Sequence, residues 1–293
     1  KVGVLMGGAS SEREVSIGTG KAVMKACNEL GYATTDFFFK KNFKKLLDAL
    51  KKQDIIFNAL HGGVGENGKI QSWMNAHNIK YTGSGPKASA LCMDKTKSKA
   101  VAKSLGVKTP EWELIDNLSI KPKIQLPYVI KPNAEGSTMG ISIIANESHT
   151  QRAMQNAFKY GKHVIVEKYI KGRELTIPII GKNILPIVEV IPSNDFYDYE
   201  CKYNKGMSQY VCPAKLSKKI EKKLRSNTEL LFHKLGCEIY GRADYILDDL
   251  DTPYFLEMNT LPGLTETSLV PKSANKRDLP FNDLIKNIIE LSL

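Results

Sequence analysis

The sequence contains few cysteines and histidines, and neither type is spaced for metal binding. The five cysteines are an odd number without a C-x-x-C pair, which predicts free thiols in a reducing compartment rather than a disulfide framework. The five histidines form no H-x-x-x-H or HExxH pair, which argues against a zinc site. The common zinc-dependent and disulfide-rich classes are therefore excluded.

Long apolar runs are also absent. No stretch of about eighteen or more apolar residues occurs, so we expect no transmembrane helix. The first strand pattern, residues 2–6, turns at once at Gly7-Gly8 and is too short for the core of a signal peptide. With 42% hydrophobic and 25% charged residues, the composition is that of a globular protein. We expect a cytoplasmic protein with no membrane partner.

Negative charge is in deficit, which leaves a formal net charge of +11 and invites a nucleic-acid-binding interpretation. The lysines lie in amphipathic helical patterns, for example around the apolar positions Ile220 and Leu224, and solvated helix faces usually explain such lysines. Aromatic residues are not interleaved with them as a stacking platform requires. We expect no nucleic-acid partner, and the positive field suits an anionic small substrate.

The order of patterns predicts several domains, for which 293 residues are sufficient. Strands and helices alternate up to residue 90, which predicts a small open α/β sheet. Within it, residues 11–14 have the spacing of a capping box before a helix that ends at Leu30. We place boundaries near residues 90 and 174, which gives domains over 1–90, 91–174 and 175–293.

Two strand patterns near the C-terminus form a predicted hairpin. Residues 241–245 and 255–259 flank the turn-rich segment 248–252. The antiparallel register that sets Asp244 opposite Glu257 gives the further pairs Arg242–Asn259, Ala243–Met258, Tyr245–Leu256 and Leu247–Tyr254. Side chains alternate between the two faces of a strand, so the apolar members of these pairs should form a core surface.

The opposite face of this hairpin gathers Arg242, Asp244, Glu257 and Asn259. Carboxylate and amide oxygens with room for water suit Mg²⁺, which usually also needs substrate phosphates to complete its shell. The arginine could stabilise a developing negative charge. A solvated antiparallel sheet shows the same alternation, however, so the hairpin by itself leaves a metal site and a plain surface open.

Two glycine-rich segments are candidate phosphate loops. Residues 63–68 match G-x-G-x-x-G, but they follow the third strand rather than the first, which favours a substrate loop or a simple turn over a dinucleotide site. Residues 127–132 form a strand that delivers Lys131 to the small-residue loop 133–140. Such a loop can offer backbone N–H groups to phosphates while the lysine adds charge. A flexible hairpin with a stray lysine is the alternative.

Glu167 and Glu174 lie near the ends of a strand–turn–strand pattern over residues 164–175. Carboxylates at such positions can accept hydrogen bonds from the amino group and ribose hydroxyls of a nucleotide. Two surface glutamates would give the same pattern, so this pair points to a nucleotide only in combination with other features.

In this order, the segments resemble the D-alanine–D-alanine ligase family of the ATP-grasp superfamily. The matching segments are residues 7–16 (GGASSEREVS), 59–62 (ALHG), 66–68 (ENG), 81–85 (YTGSG), 93–95 (MDK), 130–132 (IKP), 135–137 (EGS), 196–203 (FYDYECKY) and 257–263 (EMNTLPG). Each is modest alone, but together they span essentially the whole chain. The resemblance implies an α/β (α+β overall) ATP-grasp fold: a Rossmann-like N-terminal domain and two subdomains that hold ATP between them.

The resemblance also implies the reaction. The carboxylate of one D-alanine attacks the γ-phosphate of ATP to form an acyl phosphate, and the amine of a second D-alanine displaces phosphate, for peptidoglycan precursor synthesis. The implied partners are two D-alanines and Mg-ATP, with two Mg²⁺ ions or Mn²⁺ in their place, in a homodimer.

Residue roles are implied position by position. The nucleotide phosphates are assigned to Lys95 and Lys131, and the adenine and ribose to Glu167, Lys168, Ile170 and Glu174. The metal ions are assigned to Asp244, Glu257 and Asn259, and the oxyanion to Arg242 and the backbone N–H of Gly263. The substrates are assigned to Glu12, His61, Ser268 and Leu269. Ser137, Tyr203 and Glu12 form a hydrogen-bonded trio, beside which Lys202 belongs to a loop that closes over the site.

Tyr203 favours an amine as the second nucleophile, since family members that make D-alanyl-D-lactate tend to depart from tyrosine there. Two other hypotheses stay open on sequence grounds. One is an ATP-grasp ligase for a different acid, and the other is a non-catalytic dinucleotide- or nucleic-acid-binding module.

Overall fold

The computed structural model describes residues 1–40, 42–136, 139–192, 208–265 and 267–293. The helices are α1 (Arg13–Glu29), α2 (Leu47–Leu50), α3 (Lys69–Ala76), α4 (Pro86–Met93), α5 (Lys95–Ser104), α6 (Thr150–Phe158), α7 (Lys218–Lys234), α8 (Leu269–Asn275) and α9 (Phe281–Ser292). The strands are β1 (Val2–Gly7), β2 (Thr34–Phe39), β3 (Ile55–Asn58), β4 (Trp112–Ile115), β5 (Tyr128–Pro132), β6 (Ser142–Ile144), β7 (Val164–Lys168), β8 (Gly172–Ile180), β9 (Asn183–Ile184), β10 (Val188–Pro192), β11 (Ser208–Val211), β12 (Tyr240–Asp248) and β13 (Pro253–Asn259).

The N-terminal sheet is parallel, with the order β2-β1-β3. All six residues of β1 are buried, as expected for a central parallel strand with both faces covered. The open α/β sheet predicted for this region is confirmed. After β3, Tyr81 forms a single parallel bridge with Ile56.

The predicted capping box at the start of α1 is wrong. Glu12, rather than Ser11, is the residue that precedes the helix, and it makes no side-chain capping hydrogen bond. Its carboxylate instead lies against Gly62 and Gly136, two glycines of the loops described below. The Glu12 side chain is therefore buried at the site and does not cap helix α1.

The second sheet is antiparallel, with the order β4-β7-β5-β6. Helix α6 covers it, and Ala153, Met154 and Ala157 of that helix are buried against the sheet. Strand β4 was not predicted from the sequence. It is short and only partly buried, so its pattern of apolar residues is weak.

The third sheet carries the predicted hairpin. Five of its strands have the order β11-β10-β8-β12-β13, and β9 pairs with β8. Strand β12 is thus flanked by β8 and β13, both antiparallel to it. The turn is formed as predicted, and the Asp248 carboxylate accepts hydrogen bonds from the backbone N–H groups of Leu250 and Thr252.

The predicted register holds for half of the hairpin. The pairs Arg242–Asn259, Ala243–Met258 and Asp244–Glu257 are confirmed. The pairs Tyr245–Leu256 and Leu247–Tyr254 are wrong, because the register shifts between Asp244 and Tyr245. Leu256 is the extra residue of the resulting β-bulge, so Phe255 rather than Leu256 is buried opposite Tyr245. The two rings meet edge to face at 5.7 Å between centroids.

Helices connect the sheets. Helix α9 returns to the N-terminal sheet, where its residues Leu284, Ile285, Ile288 and Ile289 join Val2 and Val4 in one core. Helix α7 buries Ile220, Leu224 and Leu231 against the third sheet. Its lysines at positions 218, 219, 222 and 223 are exposed, which confirms that they lie on a solvated face.

Two further expectations concern cysteines and membranes. The described cysteines, at positions 27, 92, 212 and 237, are free thiols, as predicted. Within the described ranges, no helix combines the length and apolar character that crossing a bilayer requires.

Candidate active site

The polar face of the β12–β13 hairpin lines a cleft of about 110 Å³. The β3–α3 loop, the start of α1, strand β8 and the segment after β13 complete its walls. The predicted site residues that line it are Glu12, His61, Glu174, Arg242, Asp244, Glu257, Asn259, Gly263, Ser268 and Leu269. The polar face of the hairpin thus lies in a cleft rather than on an open surface.

Asp244 is the centre of the polar contacts in this cleft and is only 8% exposed. The guanidinium of Arg242 donates to both carboxylate oxygens, at 2.9 Å and 2.8 Å. The Asn259 amide donates to Oδ2 at 2.8 Å. The Thr176 hydroxyl donates to Oδ1 from the neighbouring strand β8. These donors hold the carboxylate in one orientation, which preorganises the site.

The oxygen ligands on this face fit a hard divalent cation. Asp244 and Glu257 supply carboxylates from directly paired positions, and Asn259 adds an amide oxygen one alternation further along the strand. No cluster of three or more His, Cys, Asp or Glu side chains suited to a metal occurs in the described part of the chain. Two carboxylates are nevertheless what Mg²⁺ uses when substrate phosphates complete its shell.

Lys95 lies beside this oxygen set. Its Nζ is 3.2 Å from Oε2 of Glu257 and donates to the Glu135 carbonyl at 2.6 Å. Lys95 is the first residue of α5, and the side chain of Asp94 caps that helix by accepting from the Lys97 N–H at 3.2 Å. The ammonium group is therefore held at the edge of the cleft by a helix start.

The pKa of Asp94 reflects this capping role. Burial by itself would raise the pKa, but hydrogen bonds from Asn133, Lys97 and Thr96 outweigh burial and hold it at about 2. The Asn133 side chain also accepts from the Thr96 N–H at 3.0 Å. These bonds tie the start of α5 to the loop that follows β5.

Behind the cleft, Glu167 is a buried carboxylate between two lysines. Lys131 of β5 contacts Oε1, and Lys99 of α5 lies 2.9 Å from Oε2. Burial would raise the pKa of Glu167, but Lys131 and Lys99 together lower it to about 2. The carboxylate is therefore ionised at all physiological pH values.

Glycines let two loops approach Glu12. A Cβ at Gly62, whose φ is +67°, would lie 2.6 Å from Oε2 of Glu12, and one at Gly136 would lie 3.0 Å from the same atom. Farther along the first loop, a Cβ at Gly65 would collide with Leu60 at 2.5 Å. Gly62, which lies beside Glu12, directly precedes the G-x-G-x-x-G segment, whose residues Gly63–Gly65 form a short 3-10 turn.

His61 and Ser268 both line the cleft. The His61 ring contacts the Thr19 hydroxyl at 3.0 Å and the Glu66 carboxylate at 3.3 Å. The Ser268 hydroxyl accepts from the Thr265 N–H at 3.0 Å. A Cβ at Gly263 would lie 3.0 Å from that hydroxyl, so the backbone of this loop packs closely against the serine.

The family profile described as D-ala D-ala ligase C-terminus matches residues 97–290. A D-alanine--D-alanine ligase of Citrifermentans bemidjiense is 36% identical over 99% of this chain and 95% of that protein. A D-alanine--D-alanine ligase of Paraburkholderia phytofirmans is 39% identical over 100% of this chain and 96% of that protein. The chain belongs to the D-alanine–D-alanine ligase family.

Solved structures agree with this family assignment. The crystal structure of a D-alanine--D-alanine ligase from Bacillus anthracis, complexed with ATP, superposes with a TM-score of 0.87 at 32% identity. The match covers 99% of this chain and 96% of that one. The ATP-grasp fold class predicted from the sequence is confirmed.

Some predicted residues of this family member lie away from the cleft. The Lys168 ammonium donates to the carbonyls of Gln125 and Leu126, at 3.1 Å and 3.2 Å. Ile170 is partly buried in the short connection between β7 and β8. Three predicted residues, Ser137, Lys202 and Tyr203, lie outside the described residues.

Three polar residues in or next to the cleft were not predicted from the sequence. Thr176 lies two residues after Glu174, on the same face of β8. This spacing points to the site only when the pairing of β8 with β12 is known. Glu66 belongs to the ENG segment, but nothing in the sequence joins it to His61. Lys99 follows Lys95 by one helical turn, yet a lysine in a lysine-rich helix suggests a solvated position.

Proposed function

We propose that this chain is an ATP-dependent ligase that joins two D-alanines into D-alanyl-D-alanine for peptidoglycan precursor synthesis. The observation that carries the proposal is the shared cleft in which the Asp244–Glu257 oxygen ligands, Arg242 and Glu12 converge. Membership of the ligase family supports the choice of D-alanine and ATP as substrates.

In the first step, the carboxylate of one D-alanine attacks the γ-phosphate of ATP, which forms an acyl phosphate and releases ADP. Glu12 holds the ammonium group of that D-alanine, and Lys95 and Lys131 hold the nucleotide phosphates. Glu167, Lys168, Ile170 and Glu174 surround the adenine and ribose. Because a free carboxylate is a poor electrophile, the acyl phosphate supplies the leaving group that peptide-bond formation needs.

Asp244, Glu257 and Asn259 are the residues that would hold Mg²⁺, two ions in our proposal, with Mn²⁺ as an alternative. The bound metal would neutralise negative charge on the β- and γ-phosphates. Thr176 and Arg242 orient the Asp244 carboxylate for this role.

In the second step, the amine of the second D-alanine attacks the acyl carbonyl and phosphate leaves. Arg242 and the backbone N–H of Gly263 stabilise the oxyanion of the tetrahedral intermediate. Ser268 and Leu269 hold the carboxylate of the second D-alanine, and His61 lies at the substrate wall. The family resemblance assigns Ser137, Tyr203 and Glu12 to a hydrogen-bonded trio, and Lys202 to the loop of Tyr203 that would close over the site and exclude water.

A coupled assay of ADP release tests this proposal. We expect ADP formation with Mg-ATP and D-alanine, and little with L-alanine or with D-lactate as the added substrate. If D-alanine fails to stimulate ADP release, the substrate assignment is wrong, and stimulation by another acid would identify an ATP-grasp ligase of different specificity.

Three further features are parts of the proposal. The division into domains over 1–90, 91–174 and 175–293 is supported by the three sheets, whose strands come from successive segments of the chain. The homodimer and the cytoplasmic location rest on the resemblance and on composition, and both stay predictions.

A further inference from the structure

Lys99 is a charged residue that the proposed reaction does not use, although its side chain is fully buried, with 0% exposure. Its Nζ lies 2.9 Å from Oε2 of Glu167. It also donates to the Thr109 hydroxyl at 2.8 Å and, at 3.5 Å, to the carbonyl of Phe255. The Glu167 carboxylate thus pairs with the charge of Lys99, while Thr109 and Phe255 accept hydrogen bonds from its ammonium group.

The same carboxylate has a second lysine partner. Lys131 contacts Oε1 of Glu167, so one buried negative charge faces two buried ammonium groups. A single lysine would neutralise the carboxylate. The second cation is costly to bury, which calls for a reason beyond neutralisation of Glu167.

The two lysines differ in what they can reach. Lys99 is held by partners on β7, on the segment before β4 and on β13. Lys131 lies at the end of β5, just before the loop that resembles the family's phosphate segment. A nucleotide phosphate therefore competes with Glu167 for Lys131 and not for Lys99.

We propose that Lys99 is a positioning residue that remains on Glu167 as its counter-ion, so that Lys131 can turn from this carboxylate to the phosphates of ATP. The inference rests on the proposed function, which assigns Lys131 to the nucleotide. Without Lys99, the departure of Lys131 would leave a buried carboxylate unpaired, which is strongly unfavourable.

The ionisation of both groups agrees with this role. Lys131 and Lys99 outweigh the effect of burial and lower the pKa of Glu167 to about 2, so its charge persists. Burial lowers the pKa of Lys99 to about 8, which leaves the ammonium protonated at neutral pH.

The Lys99→Met variant tests the inference, because methionine has a similar length without charge. We expect the KM for Mg-ATP and the calorimetric Kd for ADP to rise at least about tenfold, since Lys131 is then retained by Glu167. The KM for D-alanine should change less than about twofold. Lys103→Met, at an exposed position one turn further along the same helix, is the matched control and should bind ADP as the wild type does.

A double-mutant cycle separates this role from a structural one. If Lys99 acts through Glu167, adding Lys99→Met to Glu167→Gln should weaken ADP binding by less than about twofold further, because no carboxylate is left to be stranded. Equal losses in the KM values for ATP and D-alanine, or an additive loss in the double variant, would overturn the inference.

Two controls keep the result interpretable. If Lys99→Met does not fold, as judged by circular dichroism and Tm, Lys99→Gln replaces it with the same expected and contradicting outcomes, since glutamine retains a donor for Thr109. ADP binding is measured without D-alanine. If the ligase assignment fails, the wild-type protein will bind ADP but D-alanine will not stimulate ADP release. This result differs from a failure of the Lys99 inference, which would appear as an additive loss of ADP binding in the double-mutant cycle.

Discussion

At the residue scale, Asp244 is the side chain through which the polar groups of the cleft are connected. Its two oxygens accept hydrogen bonds from Arg242, Asn259 and Thr176. The amide, the hydroxyl and the guanidinium all orient this carboxylate toward the cleft. Replacing one of its oxygens should therefore disturb metal binding and arginine placement together.

We expect Asp244→Asn to lower kcat for ADP release by at least about 100-fold, because the amide lacks the charge that binds Mg²⁺ and pairs with Arg242. Steady-state kinetics over a range of Mg²⁺ concentrations measures the effect. Asp249→Asn makes the same chemical change at an exposed position of the same hairpin and should keep the wild-type rate. A wild-type rate for Asp244→Asn would refute the metal assignment.

A pH prediction follows from Glu167, whose pKa is lowered from 4.5 to about 2. A lowered carboxyl pKa contributes stability that is complete above the unfolded value and is lost as pH falls toward the folded value. Urea unfolding should thus show the free energy of unfolding falling between about pH 4.5 and pH 2.

The Glu167→Gln variant is the comparison for this pH series. It should be less stable than the wild type at neutral pH, because two buried lysines lose their partner. Its free energy of unfolding should fall less steeply through the same acid range. Parallel curves for the two proteins would show that Glu167 is not the source of the acid sensitivity.

At the scale of elements, the start of α5 is the joint that presents Lys95 to the cleft. Asp94 caps the helix and accepts from the side chain of Asn133, in the loop after β5, at 2.9 Å. We expect Asp94→Ala to lower the free energy of unfolding by about 1 to 2 kcal/mol through loss of the cap. The KM for ATP should rise as well, because Lys95 loses its fixed position.

Chemical denaturation and ATP titration of initial rates measure these two effects. Asp116→Ala, at an exposed position, is the control and should change neither. If Asp94→Ala lowers stability while the KM for ATP stays at the wild-type value, the cap is structural only and does not position Lys95.

Element patterns also show how far the sequence could predict the molecule. The alternation of Arg242 and Asp244 against Glu257 and Asn259 predicted their shared face, because the period of a strand is local information. The bulge at Leu256 could not be predicted, since it depends on whether Phe255 or Leu256 packs better against Tyr245. Packing in the three-dimensional core decides which of these two residues is buried.

Site residues could be predicted where their roles are marked by the neighbouring sequence, and not where those roles depend on contacts between distant segments. Residues within recognisable motifs, such as Glu12 and Gly263, were found and do line the cleft. Thr176 and Lys99 were not, because their roles arise from pairing between β8 and β12 and from burial of one face of α5. Neither the order of strands in a sheet nor the burial of a helix face can be predicted from the residues that flank Thr176 and Lys99 in the sequence.

At the scale of the whole molecule, the cleft lies where several units of the fold meet. Its lining residues come from the N-terminal α/β region, the loop after β5 and the third sheet. A ligand that contacts all of them should stabilise the folded state against unfolding. This stabilisation is specific, because only a molecule that binds the folded site lowers the free energy of the folded state.

We expect Mg-ATP at about one hundred times its Kd to add about 2.7 kcal/mol to the free energy of unfolding and to raise Tm accordingly. NADH and duplex DNA at the same concentration should leave Tm unchanged. Differential scanning fluorimetry makes the comparison directly. Stabilisation by NADH or DNA in excess of that by Mg-ATP would favour the binding-module hypothesis over the ligase.

The central claim is that the carboxylate of D-alanine is activated by ATP before the peptide bond forms. The most direct test supplies Mg-ATP with D-alanine carrying ¹⁸O in its carboxylate and analyses the products by mass spectrometry. The account predicts ADP, D-alanyl-D-alanine and phosphate in equal amounts, with one ¹⁸O atom in each phosphate. Unlabelled phosphate, or ADP without dipeptide, would contradict it.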